Sequence, residues 1–400
     1  MKEKLLLILV IVFTTNLYCY SQGAWTQKAD FPGIRRVGAV CFSIGTKGYL
    51  GTGITGPQTM YYKDFWEWDQ ATNTWTQKAD FAGTARGWAA GFSIGNKGYI
   101  GIGSDSIYNN GGLKDFWEWD GDTSSSTYNT WKQKQNFIGQ LCGAVGFSIG
   151  TKGYFATGNF CNVGLDTLYE YNTLSDTWST KSNLPVYIGC CAVGFSIGIM
   201  GYIATGTSDS SFWEWNQTSN SWTQKAKFIG SLRSCAAGFS IGTKGYLGTG
   251  CWGSAYYQDF YEWDQKTNIW TQKAKFPDGF GRACGCSFSI GSKGYFGLGE
   301  VNPGIYKRTF WEFDPNGHAG INETVIENSI SVYPNPSNGK INIQSDKYKI
   351  QNVKIYTTIG EKICETKNCS FDISDQPNGV YFVHITSKEG TAVKKIIINK

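Results

Sequence analysis

Histidine is nearly missing from these 400 residues: two occur, His318 and His384, both in the last quarter of the chain. The preceding region therefore offers no Ser-His-Asp triad and no histidine-ligated zinc. Charge is scarce as well. Charged residues make up 17% and the formal net charge is +5, too small and too dispersed for the concentrated basic face that nucleic-acid binding needs. Long apolar runs are absent apart from Leu5–Phe13, which is too short to span a bilayer as a helix, so no transmembrane segment is expected. With Lys2 and Lys4 before that run and Cys19 and Ser21 at small-residue positions after it, residues 1–21 read as a removed secretion signal that leaves Gln22 first. Lipid attachment at Cys19 competes with this reading, but the bulky Tyr18 disfavours it. No residue set suggests a metal, a cofactor or a catalytic motif.

What is present is repetition. Phe-Ser-Ile-Gly starts at Phe42, Phe92, Phe147, Phe195, Phe239 and Phe288, and each copy is followed by Gly-Tyr-x-x-x-Gly, as in Gly48 to Gly53. Five copies then carry an aromatic run such as Phe65-Trp66-Glu67-Trp68-Asp69, and Leu168 to Asn172 is the variant. Aromatics are 16% of the chain and Gly contributes 51 residues, a strand-and-turn composition. A period near 50 residues made of short strands predicts a β-propeller with one repeat per blade. Within a blade, small residues such as Gly87, Ala89 and Ala90 suit the crowded inner strand, here placed at 87–94, and the Trp strand is outermost. A Trp lies 16 to 18 residues before each Phe-Ser-Ile-Gly, beginning with Trp25, whereas no Trp strand follows Phe310–Asp314. Circular closure follows: the Trp25 strand completes the last of six blades, over residues 22–315, and leaves no open sheet edge.

Gly48-Tyr49, Trp68-Asp69 and Asn73-Thr74-Trp75 carry a resemblance to kelch repeats, as in galactose oxidase-like propellers. The kelch Gly-Gly pair is replaced by Gly51-Thr52-Gly53 or Gly101-Ile102-Gly103. The histidine-containing copper site of galactose oxidase has no counterpart. Residues 316–328 read as a linker. From 329 to 400 seven short strands alternate with turns, from Ile330–Tyr333 to Ala392–Asn399, and predict a small β-sandwich. Val332-Tyr333-Pro334-Asn335-Pro336 with Gly339, Val353 to Tyr356 with Gly360, Pro377 to Phe382, and the closing Lys394 to Lys400 closely resemble the C-terminal sorting domain of the type IX secretion system of Bacteroidetes. The resemblance implies that the secretion machinery is a partner, that the chain crosses the outer membrane, and that the tail is usually removed during attachment to a surface glycolipid. Cys364 and Cys369 are not part of that pattern.

Six glutamates recur at one position, Glu67, Glu118, Glu170, Glu214, Glu262 and Glu312, and read as structural. Asp105, Asp166, Asp209, Asp278 and Glu300 do not repeat, and a paired-carboxylate hydrolase drawing on two of them is one alternative. The loops after the second strands vary most and share a face with the loops that enter the inner strands, so this face is the expected binding surface. Its densest aromatic loop holds Trp252, Tyr256 and Tyr257, suited to stacking on sugar rings. Arg36, Arg86, Arg233 and Arg282 recur six residues before the Phe of four repeats, with Leu141 and Gly189 in the other two. As a ring at the channel mouth they suit carboxylate or sulfate groups; as structural groups they bond loop carbonyls. Cys142, Cys190, Cys191, Cys235 and Cys284 stand at inner-strand entrances, with Cys161 and Cys251 in loops on the same face. Outside the cell these are candidates for disulfides, such as Cys161 with Cys190 or Cys191, and Cys251 with Cys235 or Cys284. The best functional expectation is non-catalytic recognition of a glycan or other surface polymer by a secreted or surface-attached protein. A carbohydrate-active enzyme, or a structural adhesin without a defined site, are the rivals.

Overall fold

The computed structural model describes residues 22–317 and 329–400, except 57–59, 106–111, 161–162, 208, 346, 359 and 388–390. The expected signal segment 1–21, most of the expected linker, and Cys161 lie outside the described residues. Contacts divide the chain into two units, Met1–His318 and Ala319–Lys400.

The first unit is an all-β propeller of six four-stranded antiparallel sheets. The first blade runs outward through Val40–Ile44, Lys47–Gly51, Phe65–Asp69 and Thr74–Lys78. The innermost strands of successive blades touch one another around a closed ring, the sixth against the first. In the second blade the inner strand spans Ala90–Ile94. Gly87 to Ala89, expected within it, instead form the turn that enters it. Closure is as the Trp spacing requires. Ala24–Lys28 pairs antiparallel with Phe310–Asp314, Trp25 opposite Phe313, and becomes the outer strand of the sixth blade.

The repeated residues hold neighbouring blades together. Each Phe of Phe-Ser-Ile-Gly presses on the Gly of the Gly-Tyr pair in the next blade: a Cβ on Gly153 would stand 1.9 Å from Phe92, and one on Gly48 would stand 2.2 Å from Phe288. No side chain larger than hydrogen fits there. On the outer strands each Trp indole donates to a carbonyl of the preceding blade. Trp75 bonds Ala29 at 2.9 Å, Trp131 bonds Ala79 at 3.0 Å, and Trp25 bonds Ala274 at 3.0 Å to close the circle. The six recurring glutamates are structural. Tyr49 and Lys47 donate to the two oxygens of Glu67 at 2.8 and 2.7 Å, and the Tyr–Glu bond recurs in every blade. Burial opposes the Glu67 charge, but the bonds from Lys47 and Tyr49 hold its carboxyl below the usual range.

The second unit packs a three-stranded sheet (Ile330–Tyr333, Lys340–Ser345, Ser370–Asp372) with a four-stranded sheet (Lys362–Thr366, Ile350–Thr357, Gly379–Ser387, Thr391–Ile398). Ile341, Val353, Ile355, Val383, Ile385 and Ile396 form its core. All seven strands lie within two residues of the expected bounds. No helix among the described residues is long and apolar enough to cross a membrane.

Trp25 packs edge-on against Phe260 and Phe276 of the fifth blade. Trp25→Ala is therefore expected to destabilise the propeller by on the order of 3 kcal/mol, read as a lowered denaturant midpoint. An unchanged midpoint would mean that this strand does not close the ring.

Candidate functional site

At one end of the propeller, the turn that enters each inner strand meets the loop that leaves the second strand. Four blades join the two by an isolated antiparallel bridge: Val37 with Ile54, Gly87 with Ser104, Ser234 with Cys251, and Ala283 with Glu300. The residue after each entering bridge position takes part in a closed circle of main-chain hydrogen bonds. Trp88 donates to Gly38, Gly143 to Trp88, Cys191 to Gly143, Cys235 to Cys191, Cys284 to Cys235 and Gly38 to Cys284, at 2.8 to 3.3 Å. All six residues have φ between 55 and 62°, the left-handed region that favours glycine. Two circles of positions thus surround the mouth on an invariant backbone, and their side chains differ from blade to blade.

That variation makes one sector distinctive. A cleft of 480 Å³ opens between the hairpins of the sixth and first blades, lined by Val37, Ile54, Trp88, Cys284, Glu300 and Tyr306 among others. Glu300 accepts a 2.9 Å bond from Tyr256, and Tyr306 donates to the Gly56 carbonyl at 2.9 Å across the two hairpins. Burial, then the Glu300 contact, push the Tyr256 phenol well above its ordinary range, so it acts as a hydrogen-bond donor. Trp88 occupies a left-handed site where its neighbours in the circle are glycines. Holding a bulky residue there costs about 1–3 kcal/mol. Gly38 gives the indole room, since a Cβ there would lie 3.0 Å from the Trp88 ring.

The four arginines are not at the surface of this mouth. Arg36, Arg86, Arg233 and Arg282 are each 0% exposed. Arg233 bonds the carbonyls of Ser231 and Thr249 at 2.9 Å and grips Asp259 with both terminal nitrogens, at 2.6 and 2.7 Å. Arg36 repeats this with Ile34, Thr52 and Asp64, and Arg86 bonds Thr84 and Ile102 likewise but reaches Asp115 through one nitrogen. Arg282 bonds Leu298 and pairs with Asp278 from its own loop; burial pushes its pKa down to about 10. The expected anion-binding ring is thus a set of internal ties, and the carbonyl-bonding alternative describes them better. The sequence carried the signal unread. An Asp precedes the third strand in the first, second and fifth blades (Asp64, Asp115, Asp259). Thr167 and Ser211 stand there in the two blades that lack the Arg.

The aromatic loop separates into three roles. Trp252 is 43% exposed at its hairpin tip, Tyr256 serves Glu300, and the Tyr257 ring lies 4.4 Å from the Arg233 guanidinium. Of the non-repeated carboxylates, Asp278 neutralises Arg282, Asp166 accepts from Asn183 in the loop after its blade's outer strand, Asp209 accepts from Ser211 in its own loop, and Glu300 faces the cleft. Sequence reasoning missed Trp88, although an aromatic in the register of Gly38 and Gly143 marks it. The cysteines do converge on the mouth: Cys191, Cys235 and Cys284 line an axial depression of 130 Å³. The ten described cysteines are all free thiols, so neither expected bridge from Cys251 is formed, and those to Cys161 fall outside the described residues. No group of three or more His, Cys, Asp or Glu among the described residues is arranged to hold a metal.

Residues 331–399 match the family described as the secretion system C-terminal sorting domain. The tail is a sorting domain. It directs the chain across the outer membrane to the cell surface or the extracellular space. No curated protein matches the chain. A solved structure described as "Structure of YjhT" is similar, with a TM-score of 0.58 at 15% identity, covering 71% of this chain and 96% of that chain. At that identity the likeness speaks to the propeller fold alone.

Arg233→Ala is expected to lower stability by about 3 kcal/mol, because it strips a buried partner from Asp259. Trp252→Ala is expected to change it by no more than about 0.5 kcal/mol, as for an ordinary surface site. Equal, negligible effects in urea unfolding would contradict the buried-pair assignment.

Proposed function

We propose that this exported propeller is a non-catalytic binding protein, of kelch type, that recognises a glycan or related surface polymer in the cleft between its sixth and first blades. The observation that carries the reading is the pairing of Trp88 with Glu300 across a 480 Å³ apolar-walled cleft. An indole face stacks on the C–H face of a sugar ring, and a carboxylate accepts hydrogen bonds from neighbouring hydroxyls. Placing a Trp where the backbone prefers glycine works against folding, which suits a residue kept for contact. Exposed apolar side chains on the surrounding entrance loops, Ile34, Ile138, Ile229 and Phe280, extend the face beyond the cleft and suit a polymer rather than a single sugar.

The charge of the cleft sets the ligand class. With the arginines spent inside their blades, Glu300 is the one charged group among the described lining residues, so neutral or amine-bearing sugars fit and anionic ones are repelled. A hydrolase that works through two carboxylates needs a second acid facing the first; the described lining offers Glu300 with Tyr306 instead. The secretion machinery engages residues 329–400 in this reading, and removal of that tail leaves the propeller to act at the surface.

A glycan array tests the reading. Neutral or amino sugars should be retained over sialylated, uronic or sulfated ones. Trp88→Ala and Glu300→Gln should each weaken retention about tenfold or more, equivalent to at least ~1.4 kcal/mol. Preference for acidic glycans, or wild-type binding by both variants, would place the site elsewhere.

A further inference from the structure

Beside the cleft lies a thiol cluster that glycan recognition does not use. Cys235 lines an axial depression with Cys191 and Cys284 and follows Ser234, which bridges Cys251, but these neighbours are not equivalent. Cys191 and Cys284 are fixed members of the main-chain circle, each tied to a separate blade. Cys251 sits on the short hairpin Cys251–Trp252/Ala255–Tyr256. Its main chain exchanges two 3.0 Å hydrogen bonds with Ser234, the residue directly before Cys235. The backbone therefore places Cys235 one residue from the position that bridges Cys251. One partner stands on the main-chain circle and the other on a two-residue strand.

We propose that Cys235 and Cys251 are a disulfide-forming pair, oxidised during or after export, and that the bond clamps the fifth-blade hairpin to the mouth of the propeller. Cys251 is the better attacking thiol, since its bond with Cys235 draws its pKa below the ordinary value, whereas Cys235 is held above its own. In the reaction the Cys251 thiolate attacks a small-molecule or protein disulfide, RSSR, forms a mixed disulfide and expels RS⁻. Cys235, after giving up its proton, attacks the Cys251 sulfur and expels the second RS⁻. Two cysteine thiols are oxidised to one disulfide while RSSR is reduced to two RSH. Cys251 lies opposite Tyr256 on the hairpin, and Tyr256 bonds Glu300. The bond thereby fixes a donor that orients the cleft carboxylate. The disulfide stands apart from the glycan reading; its effect on the cleft rests on it.

The test uses the full chain treated with oxidised glutathione, alkylated, and digested with trypsin without reduction. Cleavage after Arg233, Lys244 and Lys266 isolates Cys235 in Ser234–Lys244 and Cys251 in Gly245–Lys266. The expected product is these two peptides linked, two hydrogens lighter than their sum, together with slower proteolysis within residues 251–258 of the oxidised protein. Alkylation of Cys251 in the oxidised protein, or linkage of Cys235 to the peptide carrying Cys191 or Cys284, overturns the proposal. The reading is taken on the native sequence, so it does not depend on a variant that folds. Loss of glycan binding by oxidised and reduced protein alike, with the cross-link present, would count against the cleft reading and leave the disulfide intact.

Discussion

The structure depends on the contact between a phenylalanine and the bare backbone of the next blade. Propeller blades diverge from an axis, so their inner strands must approach more closely than ordinary side chains allow. Phe92 on Gly153 and Phe288 on Gly48 show how this is met: a ring fills the wedge only because the facing residue has no Cβ. The same contact repeated six times fixes the rotation between blades, and the Trp25 strand makes the sum close. Closure leaves no incomplete blade at either end, so the edges that remain are the short outer strands of complete blades.

Once the scaffold is fixed, variation has two outlets: the left-handed circle at the mouth and the position after each Gly-x-Gly. Neither contributes to the inter-blade wedges, so glycine, tryptophan and cysteine all occupy the circle on one backbone trace. Isoleucine, serine, cysteine and glutamate occupy the other position. The buried Arg–Asp ties beneath them keep the entrance loops stiff. Stiff loops suit recognition, because little conformational freedom remains to be lost when a ligand binds. The pairs also remove four positive charges from the surface, so Glu300 is the charged group among the described residues that line the cleft.

The sorting domain and the propeller divide the work. The tail supplies the route to the exterior, and the exterior sets the conditions under which the mouth operates: oxidising toward thiols and rich in polymers. Eleven cysteines outside the expected signal segment, most of them half-buried, are an unusual burden for such an environment. The gathering of Cys191, Cys235, Cys251 and Cys284 at the mouth places that chemistry beside the cleft.

Repeat length, strand content, the Trp25 closure and the tail were legible in the sequence because each is written as a periodic or contiguous pattern, and a strand's partner in a propeller is its neighbour in the chain. The six glutamates were legible as structural for the same reason. The arginines were misread because recurrence at one register gives no direction: whether a side chain points to solvent or into its blade depends, for Arg36, Arg86 and Arg233, on a carboxylate some 26 to 29 residues away. Trp88 and Glu300 come from blades at opposite ends of the chain and meet only because the ring closes. The cleft is therefore a property of tertiary closure, in which residues separated by most of the propeller's length become neighbours across its seam.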